Sequence, residues 1–181
     1  MTASTIRFIA FPRTEPPPSF CAEIVAAFVA HEQGISTKLL KKGLTSNEVL
    51  TALRDDLIRL GFQVEAGPQK NDKIQRPVFF GEGGTPTLNY QIDAYHPQWR
   101  CGFEVEAGRA WMGNAIYRDL IQGLVMVQVD TLVLAVPNGY RYQSGGRSVV
   151  SSDFANTVSV AESLYGHTRL KMPYGLIVIG Y

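Results

Sequence analysis

The run Thr131-Leu-Val-Leu-Ala-Val136 restricts the architecture of this chain more than any other segment. It is continuously apolar rather than alternating, the pattern of a strand buried on both faces. A strand of that kind needs helices packed above and below its sheet. The 181 residues suffice for one domain, 1–181, with a sizeable core. With 45% hydrophobic and 18% charged residues, the composition is that of a globular protein rather than a disordered one.

Elements on both sides of that run fit a layered arrangement. Ile6 to Phe11 reads as a short strand, and Arg13 to Pro18, with three prolines, breaks structure. A helix is expected from Phe20 to about Gln33, capped by Ser19 and stopped by Gly34. Thr45-Ser-Asn-Glu48 has capping-box spacing and opens a helix to Leu60, with Val49, Leu50, Leu53 and Leu57 on its apolar stripe. Gly61 ends it, and Phe62 to Ala66 reads as a strand. An exposed loop over Gly67–Gln75, a short strand Pro77–Phe80 and a Gly-Glu-Gly-Gly segment at 81–84 follow. Leu88–Tyr95 and Cys101–Ala107 read as strands, and a long helix is expected from about Arg109 to Val127. After Thr131–Val136 come a polar loop over 138–152, a helix from Phe154 to Tyr165 and a last strand, Tyr174–Tyr181. The whole describes a mixed central β-sheet flanked by helices, an α/β fold.

Several functions are disfavoured by composition. Net charge is +1, so no overall basic field exists to drive dedicated high-affinity DNA binding. That balance still permits a nuclease, whose acidic site offsets a local basic rim. Cys21 and Cys101 do not make a disulfide framework, and His31, His96 and His167 are scattered without zinc-ligand spacing. No secretory leader is legible, and Leu120–Val136 is interrupted by Gln122, Gln128 and Asp130, too polar for a membrane span. The cytoplasm is the simplest compartment.

The chemistry concentrates in Asp93, Glu104 and Glu106. Side chains alternate along a strand, so Glu104 and Glu106 share a face while Phe103 and Val105 take the other. A turn over His96–Cys101 pairs Tyr95 with Gly102 and sets Asp93 opposite Glu104. Like charges so placed repel. A hard cation relieves that, since Mg²⁺ takes one or two carboxylates together with waters and phosphate oxygens. In this reading Asp93 and Glu104, with the Val105 carbonyl, hold Mg²⁺, for which Mn²⁺ substitutes, and Glu106 handles the attacking water. The bland alternative is an exposed strand face with solvated acids.

Gln91-Ile-Asp93, then Phe103-Glu-Val-Glu106, then a helix and a buried strand, resembles the PD-(D/E)xK nuclease superfamily, the restriction-endonuclease-like fold. The resemblance covers residues of about 45–137 and implies an αβββαβ core. That family carries an Asp on one strand and Asp/Glu-x-Lys on the next. Here Glu106 stands where lysine is usual, as in the BamHI-like group of type II restriction endonucleases, and Ile92 replaces the proline. The resemblance implies a Mg²⁺-dependent endonuclease hydrolysing DNA phosphodiesters. It also implies substrate contacts from the following helix: Arg109, Asn114 and Arg118, with Asn114, Arg118 and Gln122 at four-residue spacing. Arg118 pairs either with phosphate or with a nearby acid. Cutting both strands usually needs two sites, so a homodimer is the expected assembly. Two further acids have weaker standing: Glu48, already accounted for by the capping box, and Glu82. Trp99 and Arg100 on the motif turn, and Tyr140, Arg141, Tyr142 and Arg147 on a later loop, interleave aromatic and basic residues in a way that suits nucleic acid or an ordinary surface. The alternative reading is a catalytically inactive nuclease-fold module for binding or assembly, consistent with the missing lysine. A third is a hydrolase for a small phosphorylated molecule.

Overall fold

The structure is a computed structural model that describes residues 3–40, 43–67, 69–108 and 114–181. Its strands are β1 (Arg7–Phe11), β2 (Gln63–Val64), β3 (Ile74–Phe80), β4 (Pro86–Ile92), β5 (Ala94–His96), β6 (Cys101–Val105), β7 (Thr131–Val136), β8 (Tyr140–Ser144), β9 (Arg147–Ser151) and β10 (Gly175–Gly180). Its helices are α1 (Cys21–Ala30), α2 (Glu32–Ile35), α3 (Ser46–Leu60), α4 (Ala115–Val125) and α5 (Asp153–Gly166).

The central sheet has six strands in the order β1-β10-β7-β6-β5-β2. β6, β7 and β10 run parallel at its middle, while β1, β5 and β2 pair antiparallel towards the edges. All six residues of β7 are buried. Its odd positions, Val133 and Ala135, pack with Phe103, Val105, Leu53 and Leu57 under α1 and α3. Its even positions, Leu132, Leu134 and Val136, pack with Ile116, Leu120 and Phe154 under α4 and α5. Each fully buried side chain of this size contributes roughly 1.5–3 kcal/mol. A polar substitution in β7 therefore damages one of two cores, whichever position it takes.

Helix α3 forms as its sequence dictates. Thr45 Oγ1 accepts from the Glu48 amide at 3.3 Å, and the Thr45 amide donates to Glu48 Oε2 at 2.7 Å. Gly61 closes the helix in the left-handed region, φ 103°. The helix expected over Phe20–Gln33 is instead two, because His31 leaves helical geometry (φ −101°, ψ 5°). Its ring Nε2 lies 2.7 Å from Asp56 on α3. Ser19 makes no cap, since Phe20 occupies that position, and Gly34 lies inside α2 rather than ending a helix.

Three further expectations change. The strand expected over Leu88–Tyr95 breaks at Asp93: β4 pairs with β3 in a separate hairpin, whereas β5 joins the sheet. That hairpin is inserted into the core, and it absorbs the end of the expected Gly67–Gln75 loop. Without it, α3-β2-β5-β6-α4-β7 is the expected αβββαβ order. The long helix does not run continuously into α4, because Asn114 is left-handed (φ 58°) and α4 starts at Ala115. The expected stretch over 109–113 lies outside the described residues. Finally, the polar loop over 138–152 folds as the β8–β9 hairpin, closed by Gly145 and Gly146 at φ 56° and 75°. Those positive angles at both central residues form the two-residue turn that suits a twisted hairpin. Cys21 and Cys101 are buried and free. No helix among the described residues is long and apolar enough to cross a membrane.

Candidate active site

The acidic motif sits where β5, β6 and α4 meet. Ala94 pairs with Phe103 and Tyr95 with Gly102, so the register continues to Asp93 beside Glu104. Glu104 pairs with Leu134 across to β7 and therefore faces the α4 side of the sheet. Phe103 and Val105 face the other side, in the α1–α3 core. Asp93 is anchored to β6 by a hydrogen bond from the Val105 amide to its Oδ2 at 2.8 Å. The Val105 N–H thus fixes the Asp93 carboxylate. The Asp93 carbonyl accepts from the Glu65 amide at 2.9 Å, tying the same residue to the other neighbouring strand.

Asp93 and Glu104 line a cavity of about 420 Å³ together with Glu65, Lys73, Arg118 and Gln122. The polar side chains of the β3–β4 hairpin, Gln75, Asn89 and Gln91, close its other wall. Lys73 Nζ lies 2.7 Å from Glu65 Oε2. Glu106 is not among the lining residues. It follows the last residue of β6, and its carboxylate lies 2.6 Å from Arg118 Nη2. The Tyr181 hydroxyl donates to the Glu106 carbonyl at 2.6 Å and fixes the backbone there.

A fourth acid completes the cluster. Asp119 of α4 has a fully buried side chain and lies 2.8 Å from Arg118 Nη2. It shares a hydrogen bond with Glu106, and its Oδ2 is buried without a partner among the described residues. The stripe Ile116, Asp119, Leu120 and Gly123 is the buried face of α4, so an aspartate in it was a legible anomaly that the Asn114–Arg118–Gln122 stripe overshadowed. Glu65 and Lys73 carried no such signal, because Glu65 takes the ordinary polar position of an alternating strand, Phe62-Gln-Val-Glu-Ala66, and Lys73 lies in a polar loop.

The electrostatics follow from this crowding. Burial first, then the nearby Glu65 and Asp119 charges, push Asp93 up to about 6 against the opposing hydrogen bond from Val105. Burial and the charges of Asp93, Asp119 and Glu106 raise Glu104 well above the ordinary glutamate value. Glu106 is pushed up to about 8, chiefly by burial and by Asp119, with Arg118 opposing. Asp119 is raised by burial, and its bonds to Glu106 and Arg118 pull the other way. In the absence of added positive charge, the cluster therefore holds protons that isolated carboxyls would release at neutral pH.

Asp93 and Glu104 offer only carboxylate oxygens to the cavity, a donor set that suits a hard divalent cation. Among the described residues no group of three or more His, Cys, Asp or Glu is arranged to hold a metal ion. A two-carboxylate site completed by water and phosphate does not require one.

The other expected residues are spread more widely. Arg118 lies at the cavity and is paired with acids, through Nε to Asp119 and Nη2 to Glu106. Asn114 is exposed at the start of α4, outside the cavity lining, and Arg109 lies outside the described residues. Glu48 serves the α3 cap, and Glu82 sits exposed at the far end of the β3–β4 hairpin. Trp99 and Arg100 are structural. Trp99 stacks on His96 at 3.8 Å and on Phe20 at 4.6 Å, and Arg100 pairs with Asp130.

No family model matches the chain, and no curated protein matches it either. Among solved structures, the crystal structure of restriction endonuclease BglII complexed with a DNA 16-mer is similar over 97% of this chain and 75% of its own. The TM-score is 0.51 and the identity 12%. At that identity the likeness is one of architecture, and the mixed sheet flanked by helices described above is a restriction-endonuclease-like fold.

Proposed function

We propose that this chain is a metal-dependent nuclease that hydrolyses DNA phosphodiester bonds. The observation that carries the reading is the convergence of two carboxyls, half-buried Asp93 and buried Glu104, on the lining of one open cavity, the pKa of each raised chiefly by its own desolvation. The fold supports it, since a solved neighbour is a restriction endonuclease crystallised with DNA. Asp93 and Glu104, with the Val105 carbonyl, would hold Mg²⁺ or Mn²⁺. The bound cation supplies Lewis-acid stabilisation of the phosphoryl oxygens and a more acidic water.

The chain's own residues do the rest. The Val105 amide orients Asp93 so that one carboxylate oxygen remains for the cavity. Glu106, at about 8, holds a proton at neutral pH in the metal-free site and gives it up beside a divalent cation. In this reading it would accept a proton from the attacking water once its carboxylate turns from Arg118 towards the cavity. Arg118 uses Nε and Nη2 for the acids, and its guanidinium has further donors to turn to a phosphate. Arg109 and Asn114 stay proposed substrate contacts on the strength of the sequence resemblance alone, and Glu106 would take the glutamate-for-lysine position of the BamHI-like group. A homodimer belongs to this proposal as the assembly that cuts both strands.

One observation favours the inactive-module reading. Glu106 faces Arg118 and Asp119 rather than lining the cavity. The deciding experiment incubates supercoiled DNA with Mg²⁺ or Mn²⁺ and compares wild type with Glu104→Ala. Metal-dependent nicking by wild type alone supports the nuclease. Equal nicking by both proteins, or none by either, removes it.

A further inference from the structure

The β8–β9 hairpin has no part in the acidic site, yet it stands beside it. It rises from the C-terminal end of β7, which runs parallel to β6 with Ala135 opposite Val105. It therefore leaves the sheet at the same end as Glu104 and Glu106. The approach is close: a Cβ built on Gly108, two residues beyond Glu106, would lie 3.8 Å from the Tyr140 ring.

Its two faces differ. Arg141 pairs with Val150, Tyr142 with Val149 and Gln143 with Ser148. Tyr140, Tyr142 and Val149 are half-buried on one face, and the tyrosine rings stack 6.1 Å apart at 10°. Arg141, Gln143, Ser148 and Val150 are exposed on the other, with Val150 at 58%. One face is thus partly covered, while the other presents a guanidinium, a carboxamide, a hydroxyl and a branched methyl surface. No acid occurs between Asp130 and Asp153, so Arg141 and Arg147 carry the hairpin's only formal charges. The Gly145-Gly146 tip has open space around it and no side chain to obstruct entry into a groove. Strands of five residues at about 3.4 Å per residue make a ribbon about 17 Å long. The B-DNA major groove, about 12 Å wide and about 8.5 Å deep, admits a two-stranded ribbon of that kind.

The geometry points to the β8–β9 hairpin as the element that reads base sequence in the DNA major groove, an assignment that rests on the nuclease reading of the adjoining acids. Arg141 suits the paired acceptors of guanine, Gln143 the donor and acceptor of adenine, and Val150 the thymine methyl. Arg147, at the tip, meets the phosphate backbone.

The test selects binders from duplex DNA with a randomised centre, in EDTA so that binding is read apart from cleavage. Wild type enriches a sequence. Gln143→Ala and Arg141→Lys each lose selection at one base position, with affinity for the enriched duplex falling roughly 5- to 150-fold and binding to random duplex retained. Arg141→Lys keeps the charge but not the bidentate fork, so a purely electrostatic role would leave its selection unchanged. Arg147→Ala lowers the salt slope by about 1 with no change in selected sequence. All three side chains are exposed, and unchanged unfolding midpoints show that the variants are folded. Wild-type selection in the variants, or no selection by wild type, overturns the assignment. Nicking that depends on Glu104 alongside unaltered selection overturns the hairpin and leaves the nuclease. Lost selection in the variants without any nicking by wild type does the reverse.

Discussion

Asp93→Asn should make the metal-free protein more stable at alkaline pH, although it removes a residue of the proposed metal site. Asp93 titrates near 6 instead of 3.8, mainly because it is buried, with Glu65 and Asp119 adding to the shift. A carboxyl with a raised folded-state pKa gives stability that is fully present below its unfolded pKa, near 4. That stability is lost as pH rises through 6, because the folded state keeps a proton that the unfolded chain has released. Roughly two pKa units at about 1.4 kcal/mol each amount to about 3 kcal/mol. Asparagine has the same shape, its Oδ1 still accepts from the Val105 amide, and it carries no charge to bury. In EDTA, urea unfolding followed by circular dichroism should show the variant equal to wild type near pH 4 and up to about 3 kcal/mol more stable at pH 8. Glu104 and Glu106 give the wild type a slope of the same sign, and some of it persists in the variant. Mg²⁺ should reverse the order: a hundredfold excess over the dissociation constant adds about 2.7 kcal/mol to wild type and little to the variant. A variant less stable than wild type at pH 8 in EDTA would mean that the fold already compensates the Asp93 charge, and the argument for a cation at this position would fail.

Two further outcomes follow from the same contacts. Arg118→Met keeps the apolar stem but leaves buried Asp119 and Glu106 without their cation, and should cost about 1–3 kcal/mol at pH 8. The cost should shrink towards pH 5, where Glu106, pushed up to about 8, is protonated, and paired urea titrations at the two pH values check it. Gly61→Ala should cost more than about 1 kcal/mol in the same assay, because Gly61 has φ 103° and a Cβ there would lie 2.8 Å from His96 Nε2. A neutral result would show that the α3–β2 turn relaxes at no cost.

Local patterns were the part of this protein that a reader of residues alone could recover. The Thr45–Glu48 capping box, the α3 stripe and the all-apolar β7 each depend on interactions within one element or on its burial, so their spacing survives in the one-dimensional record. The pairing of Tyr95 with Gly102 was also legible, because a short turn leaves few registers between two apolar strands. The β8–β9 hairpin was not, since its polar composition resembles a loop and only the paired glycines signal the turn. Nor was the break at Asp93, where the backbone is held by Glu65 on one side and the side chain by Val105 on the other.

Sequence by itself determined the layered α/β architecture and named Asp93, Glu104 and Glu106, because alternation along strands is a local rule. Tertiary structure alone decided which acids meet. It brought Asp119 from α4 and Glu65 from beside β2 to the same cluster, and it turned Glu106 towards Arg118. Charge repulsion and desolvation depend on distances in space between elements far apart in the chain, and no spacing within the sequence encodes those distances.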